Sequence, residues 1–586
     1  MSPRTRHPAE KRVAVISKKG RFLVAEPLFE RDGQLSLSGG PRVAPGEMAL
    51  VEIVGTRARV VEKLGRPDRA SDVIDALLRE REMGRGFPAA VEDEAAAAIE
   101  RAPEVGGQRR DLTELPTFTV DPASARDFDD AISASGTEGG VRLWIHIADV
   151  AAHVRPGGAL DVEAQRRAIS TYVPGTVEPM LPLSLSSDAC SLTPGTERLA
   201  VTAELELSWE GEVRSARFYR SLIRSDIRLD YDEIDEIFAG RVEAPAAVAE
   251  PLPLTRRIAA VLARRREGSS LEVNSAEPEF RFEDGDVVGA RAVEQTEAHR
   301  LIEQLMVLTN EQVAQLLERK GVPTLYRVHE QPDPARIERM VQQLEALGVP
   351  TPALPKTISP SQAGRIAIEA SRLCAREAER RGHGREAYTS LVLRSLKQAH
   401  YSDRNLGHAG LGSPAYAHFT SPIRRYPDLI AHRALLSAVG GGEEAPRAEG
   451  LAELGASCSE REREASQLER GADDVCAAFL LERELRERGY DSRFEGEVSG
   501  LIPAGAFVRF SGALADVYEG FLPARVIGGR ERYDLDPTET MLVGGRGGDA
   551  IRFGDPVRVS VERVDAPRGR VDLLPVEPDR GRGRRR

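Results

Sequence analysis

The sequence predicts an α+β, multidomain chain, a long mixed body flanked by two small β-barrels of the OB type. Three observations lead there. A chain of 586 residues has room for about four domains of ordinary size. Both ends carry short strand-like runs separated by Gly/Pro turns, the texture of a small barrel. The middle alternates between strand-like and helix-like apolar spacing. The changes of texture divide the chain into an N-terminal barrel (1–70), a helical connector (71–110), a main body (111–440), a helical extension (441–490), a C-terminal barrel (491–576) and a tail (577–586).

The elements follow in order. Val13–Ile16, Arg21–Ala25 and Ala49–Val54 are strand-like, punctuated by Gly39-Gly40-Pro41 and Pro45-Gly46. A charge-rich helical stretch runs to about residue 105. Val141, Leu143, Ile145 and Ile147 alternate with Arg142, Trp144 and His146, the period of a half-buried strand. Leu301/Ile302, Leu305/Met306, Val313 and Leu316/Leu317 recur at helical spacing over 298–320, and Gly321 stands where a helix would stop. The Glu/Arg-dense stretch 457–489 reads as a solvated helix laced with ion pairs. After Gly489, the runs Phe494–Leu501, Ala506–Phe510, Gly520–Leu522 and Pro556–Val564 return to short strands.

Composition excludes several classes. With 41% hydrophobic and 30% charged residues, the chain can bury a core and is not a disordered acidic protein. Its longest apolar run, Val475–Leu481, is far short of a membrane span. Val13–Ile16 is too short for the apolar core of a signal peptide. A soluble, cytoplasmic protein without a membrane partner is expected. Cys190, Cys374, Cys458 and Cys476 form no CxxC pair, which argues against a zinc ribbon or a disulfide framework. The net charge of −12 offers no global field for a polyanion, so any such contact must come from local patches. Only seven of the 81 basic residues are lysine; the rest are arginine, whose planar fork suits phosphate. No GxxxxGK[ST] loop is present, and no nucleotide cofactor is expected. Gly545–Ala550 has dinucleotide-like glycine spacing but runs into strand-like Ile551-Arg552-Phe553, which makes it a turn. HExxH and GxSxG are absent.

Two segments carry chemistry. TVDPASARDFDDA (119–131) places Asp121, Asp127, Asp129 and Asp130 within ten residues. Four carboxylates so close repel, and shelter from water raises the cost. An oxygen-seeking dication, Mg²⁺ or Mn²⁺, would relieve them without Cys or His. Taken alone, such a cluster is more often a solvated acidic turn. HFTSPIRRYPD (418–428) offers Arg424, Arg425, Tyr426 and the hydroxyls of Thr420 and Ser421 to phosphate and base. By itself it is an ordinary basic loop. Tyr172, Tyr231 and Tyr401 are candidates for base stacking, although a lone tyrosine is more often packing. The residues on their own support a metal-dependent phosphoryl-transfer enzyme.

The Asp segment resembles the signature of the ribonuclease II/ribonuclease R (RNB) exoribonucleases. So do HIADVAAHVRPGGALDVEA (146–164), STYVPGTVEPMLP (170–182), SLTPGTERLA (191–200), LIEQLMVLTN (301–310), YRVHEQPDP (326–334), RSLKQAHYS (394–402), GHAGLG (407–412) and HFTSPIRRYPDLIAHR (418–433). The blocks stand in the family's order. The resemblance implies processive 3′–5′ degradation of single-stranded RNA to nucleoside 5′-monophosphates, with a pair of Mg²⁺ ions activating water. It implies that Asp121, Asp127, Asp129 and Asp130 are the catalytic, metal-binding carboxylates and that Arg424 stabilises the transition state. Tyr172 matches the family tyrosine against the 3′-terminal base, and Tyr231 and Glu303 match the pair associated with ribose recognition.

Residues 493–576 resemble the OB-type RNA-binding domain repeated in a large ribosomal protein of the small subunit. Pro523 stands where that family often has His, which leaves stacking to Phe494, Phe507 and Phe521, with arginines for phosphate. The N-terminal barrel resembles a cold-shock domain. Residues 1–110 leave room for one such barrel, where ribonuclease R usually has two, and the tail is short and arginine-rich. The alternative to an enzyme is an RNB-fold RNA-binding regulator without catalysis, marked by loss of an aspartate or of the SPIR arginine. All five residues are present. With these carboxylates and Arg424 ahead of residue 490, the C-terminal barrel is expected to add binding and not catalysis.

Overall fold

The computed structural model describes residues 10–30, 33–84, 86–102, 109–271, 277–527, 532–545 and 549–576. The arginine-rich tail expected at 577–586 lies outside them. The chain begins as a closed five-stranded barrel of Glu10–Lys19, Phe22–Pro27, Leu35–Leu37, Met48–Val54 and Arg57–Gly65. Strand alternation sorts its side chains into two sets. Ala14, Ile16, Ala25, Ala49, Val51 and Val60 fill the barrel. Val13, Met48, Leu50 and Leu64 turn outward onto Val73 and Ala76 of the helix Ala70–Glu80, and onto Val475.

The centre is a seven-stranded sheet. In spatial order its strands are Ile227–Leu229, Phe118–Val120, Asp130–Thr137, Gly140–Ala148, Glu197–Ser208, Val213–Arg224 and Arg110–Asp111. The strand expected from the Val141–Ile147 alternation lies in mid-sheet, and Trp144 and His146 are buried as well as the apolar set. Both faces are therefore covered, which the alternation did not reveal. Gly140 is required by contact: a β-carbon there would lie 1.8 Å from the Leu207 carbonyl oxygen. The predicted helix over 298–320 spans Glu297–Lys320 and ends at Gly321 in the left-handed region (φ 63°), where glycine has no steric penalty.

The expected solvated helix is instead a strut through the molecule. Leu451–Arg488 is 38 residues long. Its outer side carries the anticipated ion pairs Arg461–Glu464, Arg483–Glu487 and Arg486–Glu482. Its other side buries Cys458, Ala465, Leu468, Ala472, Cys476, Leu480, Leu481 and Leu485. These apolar positions are spaced through charged sequence, and only packing distinguishes them from a surface stripe.

The C-terminal barrel closes through Arg493–Ile502, Gly505–Phe510, Tyr518–Pro523, Arg570–Pro575 and Pro556–Asp565, with a three-stranded sheet (Tyr533–Leu535, Met541–Gly544, Ala550–Arg552) beside it. One buried carboxylate clasps it to the strut. Glu484 accepts from the Ala513 and Leu514 N–H groups (2.8 and 3.2 Å), the Tyr518 hydroxyl (3.1 Å) and Arg488 (2.7 Å). A single apolar core runs from Leu344 and Tyr388 through Leu481 and Leu485 to Val498, Val508 and Leu573. The barrel expected to add binding and not catalysis thus shares one core with the strut, and removing it would expose the strut's apolar side to water. No helix among the described residues is long and apolar enough to cross a membrane.

Candidate active site

The aspartate segment joins two adjacent strands at one end of the central sheet. Asp121 follows Phe118–Val120 and donates its N–H to the Leu229 carbonyl (3.2 Å). Pro122 turns the chain, and Ser191 then fixes the turn. Its hydroxyl accepts from the Phe128 N–H (3.0 Å) and donates to the Arg126 carbonyl (2.8 Å). The Phe128 ring is buried, and the Asp129 carbonyl accepts from Ala148 N–H (2.9 Å). Asp130 opens the next strand opposite Ile147. Backbone pairing therefore holds three of the four aspartates on a rigid frame.

The second segment arrives from 294 residues away in the chain. Ile423 N–H donates to Asp129 Oδ1 at 2.8 Å. Arg424 places Nε 3.6 Å from Asp129 Oδ2, and its Nη2 donates to the Ser421 hydroxyl (3.2 Å). Its side chain stays 45% exposed, free to meet a ligand. The loop itself is braced. Ser170 N–H donates to the Arg424 carbonyl (2.9 Å), Tyr426 N–H to the Ala168 carbonyl (2.9 Å), and the Tyr426 hydroxyl and Arg433 both reach Asp161.

Arg425, expected to touch RNA, does not face the cleft. Its guanidinium is mostly buried and makes a two-pronged contact with Asp428 (2.9 and 2.8 Å), while Asp428 Oδ1 also accepts from Ser421 N–H. Burial would disfavour that charge, and the Asp428 carboxylate beside it keeps the guanidinium protonated. Arg425 shapes the loop that aims Arg424.

Burial dominates the electrostatics. It pushes Asp121 up to about 8, with Asp130 adding repulsion and Arg228 and Arg424 opposing it. Burial takes Asp130 up to about 7 and Asp129 well above the carboxylate range, in each case against the pull of Arg424. Asp121 Oδ2, Asp129 Oδ2 and Asp130 Oδ2 are all buried without a hydrogen-bond donor. Buried carboxylate oxygens are normally satisfied, so three orphans within one short segment fit a hard, oxygen-seeking cation. No three His, Cys, Asp or Glu groups among the described residues converge into a ready-made cage. Mg²⁺ does not need one: it retains several waters and takes one or two carboxylates together with substrate phosphates.

The fourth aspartate differs from the others. Asp127 Oδ2 accepts from the Tyr172 hydroxyl at 2.5 Å. Tyr172 sits in a short hairpin (Thr171–Val173, Thr176–Glu178), donates its N–H to Glu469 on the strut (2.9 Å) and is 37% exposed. Asp127, Tyr172, Arg424 and Glu469 line a cleft of about 2160 Å³, whose far wall includes Glu497, Arg509, Tyr518 and Glu519 of the C-terminal barrel. Tyr231 is the first residue of a helix capped by Asp230, and its ring stacks on His299. Burial first, then Asp130 and Asp121, raises its phenol, so the ring lies in the field of the aspartate site. Glu303 is exposed one helical turn beyond His299.

The barrel residues divide. Phe507 and Phe521 are partly exposed and pack against each other (centroids 5.3 Å apart). Phe494 is a correction: it is 4% exposed, packed on Phe510 within the core, and has no face to offer a base. The barrel arginines expected for phosphate are largely paired. Arg509 is tied to Glu386 and Glu519, Arg558 to Glu495 and Arg568 to Asp565. Arg228, Ser191, His299 and Glu469 were not singled out from sequence. Each is an ordinary residue whose importance comes from a neighbour distant in the chain.

Comparison with known proteins gives a consistent result. The RNB domain model matches residues 109–441. Ribonuclease R of Aquifex aeolicus (strain VF5) is 35% identical over 599 aligned positions, covering 96% of this chain and 82% of that protein. The structure of Mycoplasma genitalium RNase R in complex with ribose methylated single-stranded RNA superposes with a TM-score of 0.85 at 24% identity, over 97% of this chain and 90% of that one. The same protein in complex with double-stranded RNA gives 0.80 at 24% identity, over 97% and 95%. At that identity the superpositions establish the fold.

Proposed function

The chain belongs to the RNB family, as a 3′–5′ exoribonuclease of the ribonuclease R type, and from that premise we propose that it hydrolyses single-stranded RNA processively to nucleoside 5′-monophosphates at the aspartate–Arg424 site. One observation carries the assignment: the SPIR loop and the aspartate segment meet through Ile423 N–H and Asp129 Oδ1, with Arg424 3.6 Å from Asp129 Oδ2, one of three buried carboxylate oxygens of that segment without a donor. Asp121, Asp129 and Asp130, with the free oxygen of Asp127, would hold the divalent ions. Mg²⁺ bound there supplies Lewis acidity for the attacking water and the departing 3′ oxygen.

The protein's own groups do the rest. Arg424 projects a fixed charge at the place where negative charge grows on phosphorus, so it acts on the transition state more than on binding. Tyr172 supplies a ring face for the terminal base, oriented by Asp127 and Glu469. Tyr231 and Glu303 would meet the ribose 2′-hydroxyl, the group that separates RNA from DNA. Single-stranded RNA 3′ ends are the proposed substrate; a neighbour seen with double-stranded RNA makes duplexes with a 3′ overhang the second substrate to try.

Digestion of 5′-end-labelled RNA, single-stranded and duplexed with a 3′ overhang, with and without Mg²⁺, tests the reading. Full-length RNA should convert to a short limit product without a ladder of internal cuts, and chelation should stop it. An internal ladder would instead mark an endonuclease. Tyr172→Ala should lengthen or blur the limit product without halting degradation, because a stacked base contributes on the order of 1–3 kcal/mol. An unchanged limit product returns Tyr172 to packing.

A further inference from the structure

We infer that His299 is a positioning residue for Tyr231 and thereby sets how strongly the enzyme discriminates ribose from deoxyribose. The inference rests on the proposed role of Tyr231. The two rings lie 3.9 Å apart between centroids and only 12° from parallel. No hydrogen bond from the Tyr231 hydroxyl to a described residue accompanies that stack, so the ring is oriented by its packing against the central core on one side and by the His299 stack.

His299 is itself held on two sides. Its Nδ1 accepts from the Thr296 N–H (3.4 Å) and lies 2.8 Å from the Thr296 hydroxyl. A backbone N–H can only donate, so Nδ1 is an acceptor and the neutral ring carries its proton on Nε2. Thr296 caps the helix Glu297–Lys320, so the imidazole is part of that helix's first turn. Ala298 N–H donates to Asp235 Oδ1 (3.1 Å), which ties the same turn to the helix Tyr231–Phe238. Glu303 follows His299 by four residues and shares its helix face. One helix therefore presents the support of one ribose-facing group and, a turn later, carries the other. A freely rotating phenol would meet a 2′-hydroxyl and a 2′-hydrogen with less difference, because discrimination needs the hydrogen-bonding group fixed before the substrate arrives.

The test compares full-length parent, His299→Ala, His299→Phe and Tyr231→Ala on two saturating oligonucleotides. One is all RNA; the other is identical except for 2′-deoxy sugars at its 3′ end. The readout is the ratio of single-turnover rates, RNA to deoxy-ended. His299→Ala should lower that ratio by roughly threefold to tenfold, the range an aromatic pair contributes. His299→Phe, which keeps a ring in place but loses the Thr296 bonds, should stay within about twofold of the parent. A purely structural loss would slow both substrates alike and leave the ratio unchanged. If Tyr231→Ala lowers the ratio and His299→Ala does not, the inference is overturned while the reading of Tyr231 stands. If neither lowers it, the role of Tyr231 falls too. If His299→Phe is as poor as His299→Ala, the Thr296 bonds and not the stack set the ring, which overturns the stacking argument.

Discussion

Asp129→Asn should reduce single-turnover cleavage by roughly a thousandfold or more, while RNA affinity stays level or rises. The reasoning starts from what the substitution preserves. Asn retains an oxygen that can accept from Ile423 N–H, so the junction of the two segments survives. It removes the charge of the most buried of the four aspartates, whose Oδ2 has no donor and faces Arg424 at 3.6 Å. Removing a negative group also lessens repulsion of phosphate, hence the undiminished binding. Cleavage within about tenfold of the parent would be far less than loss of a metal-holding carboxylate costs and would falsify the assignment. Titration of binding on the same preparation separates this from a folding defect.

Arg424→Lys should lower the single-turnover rate by about a hundredfold to a thousandfold, with affinity changed only a few-fold. An ammonium keeps the charge but presents no planar fork, and its shorter reach cannot serve Asp129 and a phosphate oxygen together. The Arg424 backbone is fixed by Ser170 N–H, and Arg425–Asp428 braces the loop from within, so the exchange alters the side chain and not the path of the chain. A variant that loses affinity but keeps its rate would make Arg424 a substrate-positioning group.

The chemistry of the site was legible because it is written in contiguous motifs. Four aspartates in ten residues and the SPIR arginine stood out through their resemblance to family motifs in the family's order, while the two barrels, the mid-chain helix and its glycine stop followed from residue type and spacing. Arg425 and Phe494 were misread for one reason. A motif names residue types, and burial then decides which of two adjacent arginines, or which of several phenylalanines, faces the solvent. The long helix was misread likewise, since its apolar positions are widely interspersed with charge and acquire meaning only against partners.

By itself the sequence determined the class of protein and its fold class, and it picked out the carboxylate and guanidinium groups proposed to act on RNA, because local propensity and motif chemistry depend on near neighbours in the chain. Tertiary structure alone decided which oxygens are left without donors, which arginine remains free, that Glu484 welds the C-terminal barrel to the strut, and that His299 lies flat against Tyr231. Each of those depends on burial or on contact between residues tens to hundreds of positions apart. Desolvation and stacking act through space, and a linear pattern carries no record of which distant groups will share it.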